Sequence, residues 1–137
     1  MKYYVLDSRA LIAFFRNEEG ADKVDKILTS AALLECEIIM HNVSVAEFYY
    51  DSIYFSSKED ADLLMEKLLS FPIDFIQAVE IDLIKQVGYF KTTYKVSFAD
   101  CFVLGTARLY KSTIVTSDHH EFNVIEEKGD ALFEWIR

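Results

Sequence analysis

The sequence is short of the residues that break or staple a chain. Its 137 residues include only 4 glycines, 1 proline and 2 cysteines. So little glycine and proline excludes a loop-rich or low-complexity chain and predicts that regular structure dominates. Two cysteines, Cys36 and Cys101, exclude a disulfide framework, and their spacing fits no zinc motif. They read as reduced thiols of a cytoplasmic protein. No apolar run reaches the roughly 20 residues that span a bilayer. Asp7 and Arg9 interrupt the N-terminal apolar stretch, which argues against a signal peptide and a membrane role. Positive charge is also scarce. Fourteen Lys and Arg against 23 Asp and Glu leave a formal net charge of −9. This excludes a protein that grips nucleic acid through a general basic surface; any RNA must be met by a local patch.

Apolar residues are abundant, at 52%, with 11 Phe and 8 Tyr. That is a globular composition, and the length suits one domain spanning residues 1–137 with a core of its own. The apolar residues fall into short runs that alternate with helical stripes. Tyr3–Leu6, Glu37–His41, Ile73–Ile76, Thr113–Thr116 and Ala131–Ile136 read as five strands. Helices are expected over Ser8–Phe15, after Gly20, from Ser44 to Phe55, after a cap at Ser56 or Ser57, over Ile81 to Tyr94, and over Phe98–Tyr110. The helix after Gly20 has the stripe Val24, Ile27, Leu28 and Ala31 or Ala32. Ile84, Val87 and Phe90 form the expected stripe of the Ile81 helix. The Phe98–Tyr110 helix is apolar around most of its girth and is expected at the centre. Glu126–Asp130 reads as a charged turn, and His119 and His120 as solvated residues of a turn.

Strands alternating with helices predict an α/β fold with a central, mostly parallel sheet of about five strands. In such sheets the site lies at the carboxyl ends of the strands. Asp7 follows the first strand directly, and Asp118 follows the fourth. Glu47 and Asp100 lie in helix first turns that can reach the same edge. Each acid also has a local explanation. Ser44–Glu47 and Ser97–Asp100 have capping-box spacing, first-turn acids suit the helix dipole, and Asp7 and Asp118 can cap the segments that follow. As a set, four carboxylates at one edge repel one another unless a cation compensates. Ligation by oxygen alone selects Mg²⁺ or Mn²⁺ over Zn²⁺. Such a site can activate water against a phosphodiester. Lys91 and Lys95, one helical turn apart, are candidate phosphate contacts, as is Arg9.

These residues resemble the PIN domain, and more closely its VapC-like toxin branch. The matching segments are VLDSRALIAFF at Asp7, VSVAEFYY at Glu47, VSFADCFVLGTA at Asp100 and IVTSDHHEF at Asp118. Their order fits the family over essentially the whole length. The resemblance implies a three-layer α/β/α fold, a Mg²⁺- or Mn²⁺-dependent endoribonuclease and a tightly bound, VapB-like cognate antitoxin. Asp7, Glu47 and Asp100 match the family's principal acids, Asp118 its more variable fourth, and Thr116 a nearby polar position. One departure stands out: Ser8 is followed by Arg9, where the family usually has a small hydroxyl or amide.

Three functions remain open on the sequence. The first is a metal-dependent ribonuclease in which Asp7, Asp100 and Asp118 bind metal and Glu47 completes the shell or orients water. Ser8, Arg9, Thr116, Lys91 and Lys95 would then contact substrate. The second is a PIN-fold binding module without useful catalysis, suggested by Arg9 and the net charge. The third, a phosphoacceptor domain, lacks the paired acids before the strand and a well-placed lysine. The Ser44–Phe55 helix is aromatic on more than one face, which predicts a homodimer interface, an antitoxin groove or both.

Overall fold

A computed structural model describes residues 1–137. The chain alternates strands and helices: β1 (Lys2–Leu6), α1 (Ser8–Phe15), α2 (Ala21–Ala32), β2 (Cys36–His41), α3 (Asn42–Phe55), α4 (Lys58–Leu69), β3 (Asp74–Ile76), α5 (Ile81–Thr93), α6 (Phe98–Leu109), β4 (Thr113–Thr116), α7 (His119–Glu127) and β5 (Leu132–Trp135). The sheet order is β3-β2-β1-β4-β5. Every pairing is parallel, so the sheet is wholly rather than mostly parallel.

Buried strands show the period of two directly. Leu6, Ile38, Met40 and Val115 face one core, with α1 to α4 packed on it. Val5, Ile39 and Ile114 face the other, beneath α5, α6 and α7. Sheet residues pointing alternately into two helical layers give a three-layer α/β/α fold. The register aligns Leu6 with Val115 and Thr116 with Trp135. The carboxyl ends of β1 and β4 therefore sit side by side. Helix α6 is buried without interruption from Cys101 to Ala107, as its all-round apolar sequence requires. Its Gly105 lets α5 approach: a Cβ there would meet Leu83 Cδ1 at 3.1 Å.

Several boundaries differ from those expected. His119 to Glu127 is a helix, not a turn. Asp118 accepts the Glu121 N–H at its start, and Phe122 and Ile125 bury one face. That stripe of two residues is too short to stand out among the charges around it. Glu126 and Glu127 belong to this helix, so the charged turn begins only at Lys128. Helix α3 begins at Asn42, not Ser44. The His41 ring caps it, Nδ1 accepting from Val43 N at 3.0 Å. Ser44 is therefore inside the helix, buried and without a hydrogen-bond partner, and no capping box links it to Glu47. Ser57, not Ser56, caps α4. On α5 the buried stripe is Leu83, Val87 and Phe90, while Ile84 is exposed. Both cysteines are free and buried.

Candidate functional site

The carboxyl ends of β1 and β4, with the first turns of α1, α6 and α7 and the second turn of α3, bring the acids together; Glu47 was expected in a first turn, but the start of α3 at Asn42 puts it one turn further on. Asp7 ends β1 and caps α1, Oδ1 accepting from Ala10 N at 2.9 Å. Its other oxygen accepts from the Thr116 hydroxyl at the end of β4. Thr116 also receives the Asp118 N–H on the same oxygen, at 3.0 Å. Ser8 donates to Glu47 Oε1 at 2.6 Å, linking α1 to α3 across 39 residues of sequence. Asp100 stands in the first turn of α6, capped by Ser97 Oγ, which accepts from Asp100 N at 3.1 Å. The capping expectation is therefore met at Asp7, Asp118 and Ser97, and it coexists with the convergence of the acids. Asp7 and Asp118 are N-cap carboxylates facing the positive ends of α1 and α7, Asp100 lies in the first turn of α6, and Glu47 reaches the same edge from one turn into α3.

The acids act on one another's ionisation. Asp7 is 3 % exposed. Burial pushes its carboxyl up to about 7 against the two hydrogen bonds, and the fields of Asp100 and Asp118 push the same way. Asp100 is raised to about 6, by burial first and then by Glu47, with Asp118 and Glu121 adding to it. Neither acid has a lysine or arginine partner, for the ion pairs of the chain lie elsewhere. The set is thus an acidic cluster, buried at Asp7 and half-buried at Glu47, Asp100 and Asp118, with no ion pair to a lysine or arginine. Its chemistry, oxygen donors at one edge with the Asp7 and Asp100 carboxyls raised by burial and by neighbouring acids, fits a hard divalent ion. No three of these side chains stand close enough to grip one ion directly. Mg²⁺ usually keeps several of its waters, and water-bridged ligation spans such gaps.

Among the candidate substrate contacts, Ser8 and Thr116 are buried, and their hydroxyls are taken up in orienting Glu47 and Asp7. Arg9 is exposed. It forms no ion pair with the four acids; its field falls on Asp51 of α3. Lys91 donates to Val96 O at 2.7 Å and ties down the α5–α6 connection. Lys95 is exposed. Glu121 was not singled out from the sequence, yet its field reaches Asp100. The Asp118-x-x-Glu121 spacing, a helix-start signature, was the signal that could have found it.

The comparisons with known proteins agree with this architecture. A VapBC2 structure from Rickettsia felis, bound to a promoter DNA fragment, is 18% identical with a TM-score of 0.74, covering 96% of this chain and 97% of that one. DNA-bound VapBC from Salmonella typhimurium is 15% identical, with a TM-score of 0.75 and full coverage of both chains. Mycobacterium tuberculosis VapC20, a sarcin–ricin loop cleaving toxin, is 13% identical with a TM-score of 0.68, covering 90% of this chain and 95% of that one. At such identities the likeness is one of fold. No curated protein matches the sequence. The family model of the PIN domain matches residues 4–128, nearly the whole chain, and the chain therefore belongs to the PIN domain family.

Proposed function

We propose that this protein is a Mg²⁺- or Mn²⁺-dependent endoribonuclease and the toxin of a toxin–antitoxin pair. A VapB-like antitoxin would restrain it in the cytoplasm, and it would work as a homodimer of single-domain chains. Membership of the PIN family supports the nuclease, and the VapBC complexes among its structural likenesses support the antitoxin. The observation that carries the reading is the pair of carboxyls at Asp7 and Asp100. Burial and neighbouring acids raise both, and no cationic side chain offsets them.

Asp7, Asp100 and Asp118 would hold the metal, directly or through water. When bound, the ion supplies a Lewis acid for the phosphodiester and water of lowered pKa. The chain's own groups prepare the rest. Thr116 and the Ala10 N–H orient the two Asp7 oxygens. Ser8 holds Oε1 of Glu47, leaving Oε2 to orient the attacking water and take its proton. Arg9 and Lys95, both exposed, would be the candidates to meet phosphate. Attack by water leaves a 5′-phosphate and a 3′-hydroxyl.

Incubation of RNA with the purified protein and Mn²⁺ tests this. Asp7→Asn and Asp100→Asn should each cut at least about 100-fold more slowly, since each removes a charge the metal needs. Cleavage by either variant at the wild-type rate would sink the assignment. The second reading, a binding module without useful catalysis, is favoured by one observation: both Asp7 oxygens already accept hydrogen bonds within the chain. It predicts partner binding with no Mn²⁺-dependent rise in melting temperature.

A further inference from the structure

A cavity of about 230 Å³ lies between the end of β3, the start of α5 and the second half of α6. Ile76, Leu83 and Leu109 are its apolar wall, with Tyr110 beside them. Its polar side chains are Glu80, Asp82 and Thr106. Thr106 is 1 % exposed, and its hydroxyl has no hydrogen-bond partner. A threonine inside a helix can return that proton to the carbonyl four residues back; this one does not. A buried hydroxyl left unpaired is costly and calls for an explanation. The two acids are also unspent. Glu80 is the N-cap residue of α5, yet its side chain caps nothing, whereas Asp7, His41, Ser57, Ser97 and Asp118 all cap their helices. No lysine, arginine or histidine lines the cavity, and neither acid forms an ion pair. Acids at a helix start are common, because they suit its dipole. That preference does not account for a cavity shared with an orphaned hydroxyl.

We propose that this cavity binds a small primary amine, an ammonium carried on a short apolar stem. An ammonium has three N–H donors and no acceptor. Glu80, Asp82 and Thr106 are three side chains that accept, and two of them carry the opposite charge. The stem lies against Ile76, Leu83 and Leu109, and the Tyr110 ring adds a face that attracts a cation. Other ligands suit the lining less. An anion would meet two carboxylates. A wholly apolar molecule would leave the Thr106 hydroxyl unpaired. Mg²⁺ demands a near-ideal octahedron of oxygens, and most of the lining side chains are apolar. The volume falls below the roughly 300 Å³ at which sites for drug-sized molecules begin, so the stem is a few carbons long. The cavity is separate from the acid cluster. Thr106 follows Asp100 by six residues on α6, about 9 Å along the axis, and the acids that act on Asp7 and Asp100 are others. The inference is therefore independent of the nuclease reading.

Amide shifts of the ¹⁵N-labelled protein during titration with n-butylamine, at about 0.15 M salt to screen diffuse attraction, test the site. The controls are n-butanol, butyrate and Mg²⁺. n-Butylamine should saturate a single site, with the largest shifts at Leu83, Thr106 and Tyr110. Thr106→Val, and the pair Glu80→Gln with Asp82→Asn, should each weaken binding at least about tenfold, the scale of a lost hydrogen bond to a charged group. Thr106→Val also removes the orphaned hydroxyl, so it should melt at the wild-type temperature or above, which separates lost binding from lost folding. The proposal is overturned if n-butanol binds as tightly as the amine, if Mg²⁺ displaces the amine at like concentration, or if the shifts spread over the acidic surface without saturating. Wild-type affinity in either variant overturns it too. So does a change of sedimentation coefficient in Thr106→Val, which would make the cavity a contact between copies.

Discussion

Two carboxylates in this molecule each accept two hydrogen bonds and titrate in opposite directions. Asp7 accepts from Thr116 and Ala10 and is pushed up to about 7. Asp130, at the far end of the α5–α6 layer, accepts on Oδ2 from Tyr94 and, at 2.7 Å, from Tyr89. It is held below the usual carboxylate range, by the Tyr94 bond first and then by Tyr89, Arg108 and Lys128. Arg108 stacks over Tyr89 at 4.8 Å and Lys128 lies over Tyr94 at 5.6 Å. Hydrogen bonds alone do not decide ionisation. Asp130 is solvated and faces cations; Asp7 is dry and faces acids. The Asp130 corner is a finished structural contact, whereas the Asp7 corner is electrostatically incomplete.

The most forceful way to break this comparison is to remove each acid in turn. Asp130→Asn should leave RNA cleavage within about twofold of the wild type, against the loss of at least about 100-fold expected at Asp7 and Asp100. Equal losses at all three positions would erase the functional distinction between the corners.

pH comes next. Asp7 and Asp100 bind protons more tightly folded than unfolded, at about 7 and about 6 against 3.8. Their contribution to stability is therefore fully present below pH 3.8 and lost as pH rises through 6 and 7. Denaturant titration of the metal-free protein should show a decline of several kcal/mol, at most about 7, between pH 4 and pH 8, and a much flatter profile in Asp7→Asn. Asp130 has the opposite sign: its contribution is present above pH 3.8 and lost as pH falls through its lowered value.

Metal should reverse the alkaline loss at one corner only. At pH 7.5, Mn²⁺ at about 100 times its dissociation constant should stabilise the wild type by about 2.7 kcal/mol. Calorimetry would register this as a rise of several degrees, retained in Asp130→Asn and absent in Asp7→Asn. The smallest effect belongs to the finished corner. Tyr94→Phe removes one hydroxyl and should cost about 1 kcal/mol in urea unfolding without changing cleavage.

The fold was legible where the pattern was strong. Five apolar runs, the first three each followed by a helical stripe, yielded the strand count and the mostly parallel sheet. The buried girth of α6 was evident from Phe98 to Tyr110. Helix α7 was not, because only Phe122 and Ile125 mark its buried face among polar neighbours. The start of α3 was missed because histidine is an unusual cap; His41 does it by accepting from Val43 while Nε2 reaches Ala78 O at 3.0 Å. At the site, the positions of Asp7 and Asp118 after strands and of Asp100 at a helix start were legible, while Glu47 lies one turn into α3. The partners that orient them were not. Ser8 and Thr116 read as substrate contacts, and only the folded chain turns their hydroxyls inward to Glu47 and Asp7.

By itself, the sequence determined the resemblance to the PIN family, carried by four segments, and where its acids fall along the chain, because strand ends and helix caps follow from local pattern. The tertiary structure alone decided what those acids became. Raising Asp7 to about 7 is chiefly the exclusion of water by the layers around β1, to which Asp100 and Asp118, more than 90 residues away, add. Desolvation and through-space repulsion depend on distance and burial, and neither quantity is local in the chain.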